Sequence, residues 1–496
     1  MFSRVLIANR GEIACRIART LREVGVRSIA VCSEADRGAM HTRVADEVRV
    51  IGPAEPRASY LNIEALITAA KASRAEAIHP GYGFLAENAA FAEAVEAAGL
   101  AFIGPTPGQV RTMGDKRAAR TIAIEAGVPV VPGAEGRDPE ALAREAERLG
   151  FPVMVKAALG GGGKGMRVVE GPADLREALE SATRLAQSAF GDGAVYLEKR
   201  LEHARHVEVQ VAGDGHGEAV HLFERDCSLQ RRHQKVIEES PAPVDEPLRA
   251  RLAEAAVALA RAVRYRGLGT CEFLVTRDGA FYFLEMNTRL QVEHPVTEGI
   301  TGLDLVRVQL AIAVDGRLPF AQSEITRRGH AIEARVYAED AARNFLPQAG
   351  RVVRVRWPEG VRVDAGIESG DTVPVHYDPI LAKVIAVGET RAEALERLTQ
   401  ALDGCVVHGV VTNLPFLRAL VRARAVMRAE VDTEWIEREF LAGFAAVATA
   451  PAPELALAAA ALGELLGVPR PQAPRTGARR PSVFVTLGRW RHPGLA

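Results

Sequence analysis

Short apolar runs alternate with helical patterns along the first hundred residues. The apolar runs lie near 5–8, 28–32, 47–51, 77–79 and 101–103, and the helical patterns near 12–25, 61–73 and 85–98. Short connections between such runs and helices favour a parallel β-sheet that is covered by helices. We therefore predict an α/β unit at the N-terminus, with ligands at the carboxyl ends of its strands.

Three further units follow with different patterns. Residues 114–202 contain helical patterns near 117–126 and 138–149 and an apolar run at 153–156 that leads into a glycine run. Residues 206–316 predict strands, a hairpin and two helices, and residues 330–445 predict more strands than helices. The Ala-, Pro- and Arg-rich remainder predicts a linker or a partial module.

Composition favours a globular protein that acts on small molecules. A chain with 48% apolar residues, 25% charged residues and a net charge of -1 is neither disordered nor fibrous, and it offers nucleic acid or an anionic membrane no electrostatic attraction. The five cysteines are widely spaced, which suits a reducing compartment. The apolar runs near the N-terminus and at 455–466 are too short for a signal peptide or a membrane span, so we expect a cytoplasmic protein.

A glycine-rich loop follows the strand pattern that ends at Lys156. The loop at 160–165 contains Lys164, and an extended apolar run follows it. Successive glycine N–H groups can surround phosphate oxygens because no side chain blocks their approach. Lys164 is followed by glycine rather than Ser or Thr, so the pattern predicts a β-hairpin lid over phosphates and not a Walker A loop. The alternative is a mobile surface loop, but a lysine at the end of a buried strand favours an anionic ligand.

Asp278 and Gly279, between two alternating apolar runs, predict a two-residue hairpin turn. This turn places Glu272 directly opposite Glu285, with Cβ atoms about 4.5–5.5 Å apart, which is unfavourable for two carboxylates. A hard divalent cation that also binds substrate phosphates would neutralise them, and the two-residue repeat places Asn287 on the same face. The alternative is that one carboxylate is protonated or paired with an arginine. With the glycine loop, the hairpin predicts a magnesium-nucleotide enzyme.

Two polar segments could recognise anions. In residues 288–294, Glu293 is placed to act as a base and Arg289 to hold an anion, with an exposed polar loop as the alternative. Residues 225–235 contain five cationic or potentially cationic groups, which predict either anion recognition or a solvated basic face.

The turn formed by Gly81, Tyr82 and Gly83 matches part of a dinucleotide fingerprint. That fingerprint usually lies in the first βα unit, and this turn lies in a later one. We therefore favour a ligand-facing turn that presents Tyr82 over a nicotinamide site, with a purely structural turn as the alternative.

Six separated motifs together resemble biotin carboxylase, the ATP-grasp enzyme found as a subunit or domain of acyl-CoA and pyruvate carboxylases. They lie, in order, at 6–12, 79–88, 113–116, 160–166, 227–235 and 285–298. The resemblance implies an α/β ATP-grasp fold with a three-part architecture, and a tail follows it. The three parts are an N-terminal Rossmann-like pre-ATP-grasp domain (1–114), an ATP-grasp domain (115–330, lid about 131–203) and a C-terminal α+β biotin carboxylase domain (331–446), and the tail is a linker or partial following module (447–496).

The resemblance also implies a two-step reaction. ATP phosphorylates bicarbonate to carboxyphosphate, and the carboxyl group then passes to N1′ of biotin on a carrier protein. The residues that match nucleotide contacts are Lys116, Lys156, Gly161, Gly162, Gly163, Lys164, Gly165, Met166, Glu198, Lys199, Leu201, His206, Gln230 and His233. The residues that match the positions for Mg²⁺ or Mn²⁺ are Glu272, Glu285 and Asn287.

The residues that match the bicarbonate and biotin sites form a separate set. The bicarbonate site is matched by Lys235, Arg289, Gln291, Val292 and Glu293, with Glu293 as the base. Arg335 matches the arginine that stabilises the biotin enolate, which is electrostatic catalysis by a fixed cation. Tyr82 lies in the segment near the biotin ring. Leu159 and Lys164 depart from the family pattern, which often has glycine and arginine there.

Partners follow from the same resemblance. We expect a biotin carboxyl carrier protein in trans, because no methionine precedes a lysine and the Met-Lys-Met carrier motif is therefore absent. Carboxyltransferase subunits and a second copy of the chain are the other expected partners. Acetyl-CoA carboxylase is the favoured parent enzyme. The alternatives are an α-subunit fragment of a propionyl-CoA, methylcrotonyl-CoA or pyruvate carboxylase, another ATP-grasp ligase, or an inactive nucleotide-binding subunit that would have lost Glu293 or a metal carboxylate.

Overall fold

The structure, a computed structural model, describes residues 1–157, 167–190 and 194–448. The predictions for Gly161, Gly162, Gly163, Lys164, Gly165, Met166 and the tail from 449 fall outside the described residues, and of Lys156 only the backbone is described. No helix within the described residues has both the length and the apolar character that a membrane crossing needs.

The N-terminal unit is a parallel sheet with helices packed on it. Its elements are β1 (Arg4–Ile7), α1 (Gly11–Glu23), β2 (Arg27–Ser33), α2 (Met40–Val44), β3 (Glu47–Gly52), α3 (Ile63–Ala72), β4 (Ala77–His79), α4 (Ala89–Ala97), β5 (Ala101–Phe102) and α5 (Pro107–Gly114). The strand order is β3-β2-β1-β4-β5, and every pair is parallel, which confirms the predicted parallel sheet. Helix α4 begins four residues later than predicted because the Asn88 side chain accepts the Phe91 N–H and caps the helix there.

A small antiparallel sheet follows. Its elements are α6 (Lys116–Glu125), β6 (Gly133–Gly136), α7 (Pro139–Leu149), β7 (Val153–Ala157), β8 (Arg167–Val169), α8 (Pro172–Phe190) and β9 (Val195–Lys199). The strand order is β6-β9-β7-β8, and α7 and α8 cover one face with apolar side chains. Strands β7 and β8 pair antiparallel, so the predicted hairpin on either side of the glycine loop is confirmed.

The central unit supplies most strands of a large sheet. Its elements are β10 (Arg205–Asp214), β11 (Ala219–Arg231), β12 (Gln234–Ser240), α9 (Glu246–Ala262), β13 (Arg266–Val275), β14 (Phe281–Asn287), α10 (His294–Thr301) and α11 (Leu305–Asp315). The sequence predicted two helices here, and the structure has three. The extra short helix, α10, begins at His294, while the polar run 288–293 before it remains a loop.

The C-terminal unit has more strands than helices, as predicted. Its strands are β15 (His330–Tyr337), β16 (Glu339–Asp340), β17 (Leu346–Pro347), β18 (Gly350–Arg351), β19 (Arg354–Arg356), β20 (Arg362–Ala365), β21 (Thr372–Val373), β22 (Ile380–Gly388) and β23 (Val406–His408). Its helices are α12 (Arg391–Gly404), α13 (Leu414–Leu420), α14 (Arg424–Met427) and α15 (Leu441–Ala448).

One antiparallel sheet of eight strands runs through the central and C-terminal units. Its order is β14-β13-β10-β11-β12-β15-β22-β20. Because β12 pairs with β15, the boundary predicted at 330/331 falls inside a continuous sheet. Apolar side chains on one face pack against α9 and α12, and the opposite face of the central strands carries the polar residues of the site described below.

The β13–β14 hairpin reaches its predicted pairing by an unexpected route. Glu272 does lie opposite Glu285, as predicted. Near the turn, however, Val275 pairs with Phe281, and the Thr276 N–H donates to the Ala280 carbonyl. The turn therefore consists of the three residues 277–279 and not of two. The register shifts beside Phe273, where Leu284 forms a bulge on β14 that restores the pairing of the two glutamates.

Candidate functional site

Strand alternation places two buried polar residues beneath the site. Along β10, Val207, Val209 and Val211 point into the apolar core under α9, so Glu208 and Gln210 point to the opposite face. Both polar side chains are completely buried there. A carboxylate in such a position requires a cation, and two cations contact it.

Lys235 is the first of these cations and the centre of the site. Its Nζ donates hydrogen bonds to Glu208 Oε2 at 2.6 Å, Glu272 Oε1 at 2.8 Å and Glu293 Oε1 at 2.7 Å. Although burial opposes it, the attraction of these three carboxylates holds the pKa of the Lys235 ammonium well above its usual value. All three N–H donors of the ammonium are therefore used to hold three glutamates at fixed positions.

Glu293 lies between two cations. Its second carboxylate oxygen, Oε2, accepts a hydrogen bond from Arg335 Nη2 at 2.9 Å, and Lys235 holds the first. Burial raises the pKa of a carboxyl group, but Lys235 and Arg335 outweigh that effect and lower the pKa of Glu293 below its usual value. Glu293 is therefore an ionised carboxylate, the state that a proton acceptor requires.

Glu272 and Asn287 offer oxygen ligands beside Lys235. Glu272 Oε1 also accepts from Asn287 Nδ2 at 2.9 Å and Gln291 Nε2 at 2.8 Å, and Glu272 Oε2 lies 3.0 Å from His206 Nε2. Burial opposes it, but Lys235 and His206 hold the pKa of Glu272 well below its usual range. Lys235 and His206, which contact Glu272, thus relieve the predicted repulsion between Glu272 and Glu285. The sequence-based alternative was an arginine.

Glu285 has a more open setting. Its side chain is 39% exposed, and its carboxylate lies 3.3 Å from the ammonium of Lys116. Glu272 lies opposite it and Asn287 shares their face at the sheet edge, so the three can supply hard oxygen donors once the Asn287 amide, which turns its Nδ2 to Glu272 and its Oδ1 to Arg289, reorients. This donor set fits Mg²⁺ or Mn²⁺, which prefer carboxylate and amide oxygens and commonly bind substrate phosphates as well.

Arg289 is fixed from two sides. Its Nε donates to Glu87 Oε2 at 2.8 Å and its Nη2 to Asn287 Oδ1 at 2.8 Å. The Glu87 carboxylate also accepts the Thr288 N–H at 3.0 Å, so a residue of the N-terminal unit holds the segment that follows β14. The guanidinium is placed beside the carboxylate site, where it could hold an anion.

Arg225 corrects one sequence-based interpretation. It belongs to the cation-rich segment 225–235, for which a solvated basic face or anion recognition was expected, yet its side chain is 0% exposed. Its guanidinium donates to Glu208 Oε1 at 2.6 Å and to Gln291 Oε1 at 2.6 Å. Further bonds reach Gln210, Thr270 and Thr297. Arg225 therefore supports the site from below and fixes which way the Gln291 amide faces, because an arginine can only donate.

Lys383 and Tyr82 lie on the far side of Glu293. The Lys383 ammonium is completely buried, donates to the Val292 carbonyl at 2.9 Å and lies 3.3 Å from Glu12 Oε2. It also lies 6.0 Å from the centre of the Tyr82 ring. This lysine thus connects the segment with Val292 to the turn that presents Tyr82.

The remaining predicted nucleotide residues lie around this centre. Glu198 and Lys199 are on β9, and Leu201 follows it; Lys199 Nζ donates to the carbonyls of Gly150 and Phe151 at 2.9 Å each. Gln230 is buried near the end of β11, where its backbone pairs with Lys235, and His233 is exposed in the turn that follows. Gln230 thus meets Lys235 through the backbone, and the Lys156 side chain and the glycine loop lie outside the described residues.

Sequence reasoning missed several residues of the site. Glu208 was not singled out, although polar residues at 208 and 210 within an apolar strand indicate a second buried face. Lys383 was left without a role, and Glu87 was noted only as part of a motif. The contacts of Lys383 and Glu87 join segments that are far apart in the sequence, so no local pattern could have revealed these two.

The arrangement has two connected halves. One half is an oxygen-rich edge formed by Glu272, Glu285 and Asn287, which suits a cation bound to phosphates. The other half is an ionised carboxylate, Glu293, with cations on both sides. Lys235 touches both halves, so chemistry at a phosphate and proton removal from a small anion could occur side by side.

Three sequence family models match the chain. They are the N-terminal domain of biotin carboxylase over residues 1–110, the ATP-binding domain of the carbamoyl-phosphate synthase L chain over 115–321, and the C-terminal domain of biotin carboxylase over 333–438.

Curated relatives agree with these matches. Biotin carboxylase 2 of Bacillus subtilis (strain 168) is 51% identical over 443 residues, which is 88% of this chain and 100% of that protein. The mitochondrial methylcrotonoyl-CoA carboxylase subunit alpha of Oryza sativa subsp. japonica is also 51% identical, over 88% of this chain and 60% of the relative. The chain thus spans about three fifths of the length of such α subunits.

Solved structures share the fold at high identity. The biotin carboxylase-beta-gamma-ATP complex from Campylobacter jejuni superposes with a TM-score of 0.84 at 44% identity and covers 88% of this chain and 99% of that one. The biotin carboxylase domain dimer of Hydrogenobacter thermophilus 2-oxoglutarate carboxylase, bound to MgADP and bicarbonate, gives 0.82 at 40% identity over 88% and 97%.

Proposed function

The chain belongs to the biotin carboxylase family, and on that premise we propose that it catalyses the ATP- and bicarbonate-dependent carboxylation of biotin on a carrier protein. One observation carries the proposal. A single ammonium, Lys235, contacts both Glu272 of the oxygen-rich edge and the ionised Glu293. Phosphorylation of bicarbonate requires both a cation-bound phosphate and removal of the bicarbonate proton, and this contact puts the two requirements within one site.

In the first step, bicarbonate binds between Lys235, Arg289 and the Gln291 amide, next to the backbone of Val292. Glu293 accepts its proton, and the resulting dianion attacks the terminal phosphate of ATP. The cations beside Glu293 would also stabilise the dianion that forms when a bicarbonate bound there loses its proton, which favours the transfer. Mg²⁺ or Mn²⁺ bound by Glu272, Glu285 and Asn287 would neutralise phosphate charge.

In the second step, the carboxyl group passes to biotin. Arg335 touches Glu293 and is positioned to stabilise the negative charge that develops on the biotin ring when N1′ loses its proton. Tyr82, near Lys383, is proposed to contact that ring. The nucleotide is proposed to lie against Lys116, β9 and the glycine loop, with His206, Gln230 and His233 contributing.

The parent enzyme is proposed to be an acyl-CoA carboxylase. Acetyl-CoA remains the proposed final acceptor, and methylcrotonoyl-CoA is the second candidate because of the 51% identity to α subunits of methylcrotonoyl-CoA carboxylase. A biotinyl carrier and carboxyltransferase subunits are the proposed partners, and the dimeric Hydrogenobacter thermophilus domain supports a homodimer.

A reducing compartment, the cytoplasm, is the proposed location. All five cysteines, Cys15, Cys32, Cys227, Cys271 and Cys405, are buried free thiols.

The test is ATP hydrolysis measured with and without bicarbonate and free biotin. We expect little hydrolysis without bicarbonate, measurable hydrolysis with it, and stimulation by biotin. Full hydrolysis without bicarbonate would favour another ATP-grasp ligase and contradict the proposal. No hydrolysis with both substrates present would contradict it as well.

A further inference from the structure

Behind Glu293 and Arg335 lies a pair of buried carboxyl groups that the reaction described above does not use. Glu238 on β12 lies directly opposite Glu333 on β15 in the antiparallel ladder. Cβ atoms of such opposite residues are about 4.5–5.5 Å apart, and both side chains are 0% exposed. Two ionised carboxylates at this spacing without solvent would be strongly destabilising, so the pair must hold a proton.

Glu333 has the setting of a protonated acid. Neither of its carboxyl oxygens has a hydrogen-bond partner among the residues that the structure describes. Burial raises the pKa of Glu333 well above its usual value; Lys383 opposes this shift and Glu238 adds to it. A neutral Glu333 can donate its proton to Glu238, which an ionised Glu333 could not do.

Glu238 is connected to the proposed base through one nitrogen. Arg335 Nη2 forms an ion pair with Glu238 Oε1 and also donates to Glu293 Oε2 at 2.9 Å. Two oxygens that share one donor nitrogen can be bridged by a single water molecule, through which a proton can pass. Burial raises the pKa of Glu238 to about 7, while Lys235 and Arg335 lower the pKa of Glu293, which makes Glu238 the more basic of the two carboxylates.

The charged and titratable groups around the pair come from every neighbouring strand and helix. They are Cys227 on β11, Lys235 on β12, Glu293 just before α10, Arg335 on β15 and Lys383 on β22. Because Arg335 forms its ion pair with Glu238, and neither Glu333 oxygen has a partner among the described residues, Glu238 can be ionised while Glu333 stays neutral.

The chemistry of the proposed function needs such a group. The phosphate that leaves carboxyphosphate takes the N1′ proton of biotin, so the proton of bicarbonate has to leave the site in every turnover. Glu293 must also lose that proton before it can act again. The reaction as described so far provides no acceptor for it.

We propose that Glu238 accepts the proton that Glu293 removes from bicarbonate, and that protonated Glu333 positions Glu238 for this transfer. The proposal rests on the function proposed above. The O–H bond of bicarbonate breaks as an O–H bond forms on Glu293. The O–H bond of Glu293 then breaks as an O–H bond forms on Glu238. The proton leaves for solvent after the products depart, and no electrons are exchanged with another reactant.

The first test is the pH dependence of kcat for bicarbonate-dependent ATP hydrolysis. In the wild type, kcat should fall as the pH drops below about 7, because Glu238 becomes protonated and cannot accept. Glu238→Gln should lower kcat at high pH by about tenfold or more and remove this fall, with the KM for ATP and bicarbonate within about twofold. Glu12→Gln, which removes another buried carboxyl on neighbouring elements, should keep the fall.

The second test separates positioning from packing at Glu333. Glu333→Gln keeps a hydrogen-bond donor toward Glu238, whereas Glu333→Met fills the space without one. A proton-sharing role predicts that Gln retains much more kcat than Met. A purely structural role predicts the reverse order, because Met removes two buried oxygens that lack partners.

Infrared spectroscopy supplies a test that does not depend on activity. At a pH well above 7, where Glu12 and Glu238 are ionised, the wild type should show the carbonyl band of a protonated carboxyl group, sensitive to exchange into D2O, and Glu333→Gln should lack it. An unchanged band in Glu333→Gln, an unchanged pH profile in Glu238→Gln, or equal kcat for the two Glu333 variants would overturn the proposal. A wild type without bicarbonate-dependent hydrolysis would instead refute the proposed function.

Discussion

Glu272 and Glu285 lie directly opposite each other on one hairpin, yet their surroundings differ sharply. Glu272 is buried and held by Lys235, His206, Asn287 and Gln291, whereas Glu285 is 39% exposed and faces only Lys116 among the described contacts. The Glu272 carboxylate is therefore held in place before any metal binds, whereas the Glu285 carboxylate can move to bind the metal. The two glutamates should therefore differ in their roles.

Glu285→Gln should raise the Mg²⁺ concentration needed for half-maximal activity by about 10–100-fold, because it removes a charged ligand without disturbing the buried cluster. A Mg²⁺ titration of bicarbonate-dependent ATP hydrolysis measures this. Glu359→Gln, at an exposed site, is the control and should match the wild type. If Glu285→Gln has the same Mg²⁺ dependence as the wild type, Glu285 is not a ligand.

The bulge at Leu284 shows where sequence reasoning succeeded and where it failed. Without the bulge, Glu285 would share the face of Phe281 and Phe283 and point into the apolar core. The assumed two-residue turn and the omitted bulge were two errors of one residue each that cancelled. The pairing of the glutamates was thus predicted correctly from a turn that the structure does not contain.

More generally, local patterns predicted the parallel N-terminal sheet, the lid hairpin and the acidic hairpin, because each depends on neighbouring residues. The burial of Arg225 could not be predicted, because it depends on β10, β13 and α10 packing around one guanidinium. The eight-stranded sheet that crosses the boundary at 330/331 was likewise hidden, since the pairing of β12 with β15 is a long-range contact.

Arg225→Met should destabilise the fold by about 3–5 kcal/mol, because the Glu208 carboxylate would stay buried with one cation fewer. Denaturant unfolding followed by circular dichroism measures the change. Arg148→Gln removes an exposed arginine that pairs with Glu145 three residues earlier, and it should change stability by less than about 0.5 kcal/mol. Equal effects of the two substitutions would contradict the supporting role of Arg225.

Stability should also depend on pH through Glu12. Burial raises its pKa from 4.5 to about 7, against the attraction of Lys383. The stabilisation by neutral Glu12 is therefore fully present below pH 4.5 and is lost as the pH rises through 7. The glutamine in Glu12→Gln stays neutral at every pH. The unfolding free energy of the variant, relative to that of the wild type, should therefore increase as the pH rises between these two values. The gain should be on the order of 3 kcal/mol, the equivalent of this shift. A difference that is constant with pH would exclude the shift.

Glu293→Gln should bind ATP as the wild type does but lose about 10²–10⁴ of kcat, because the amide cannot accept a proton and keeps nearly the same shape. Nucleotide titration and bicarbonate-dependent hydrolysis measure the two properties separately. Turnover that survives the substitution would remove Glu293 from the role of base.

The most direct measurement supplies a biotinylated carrier protein with ATP, Mg²⁺ and isotopically labelled bicarbonate and follows label on biotin. We predict that label accumulates as carboxybiotin only when ATP and bicarbonate are both present, and that Glu293→Gln transfers none. ATP cleavage by the wild type with no label on the carrier would contradict the assignment of the chain as an active biotin carboxylase.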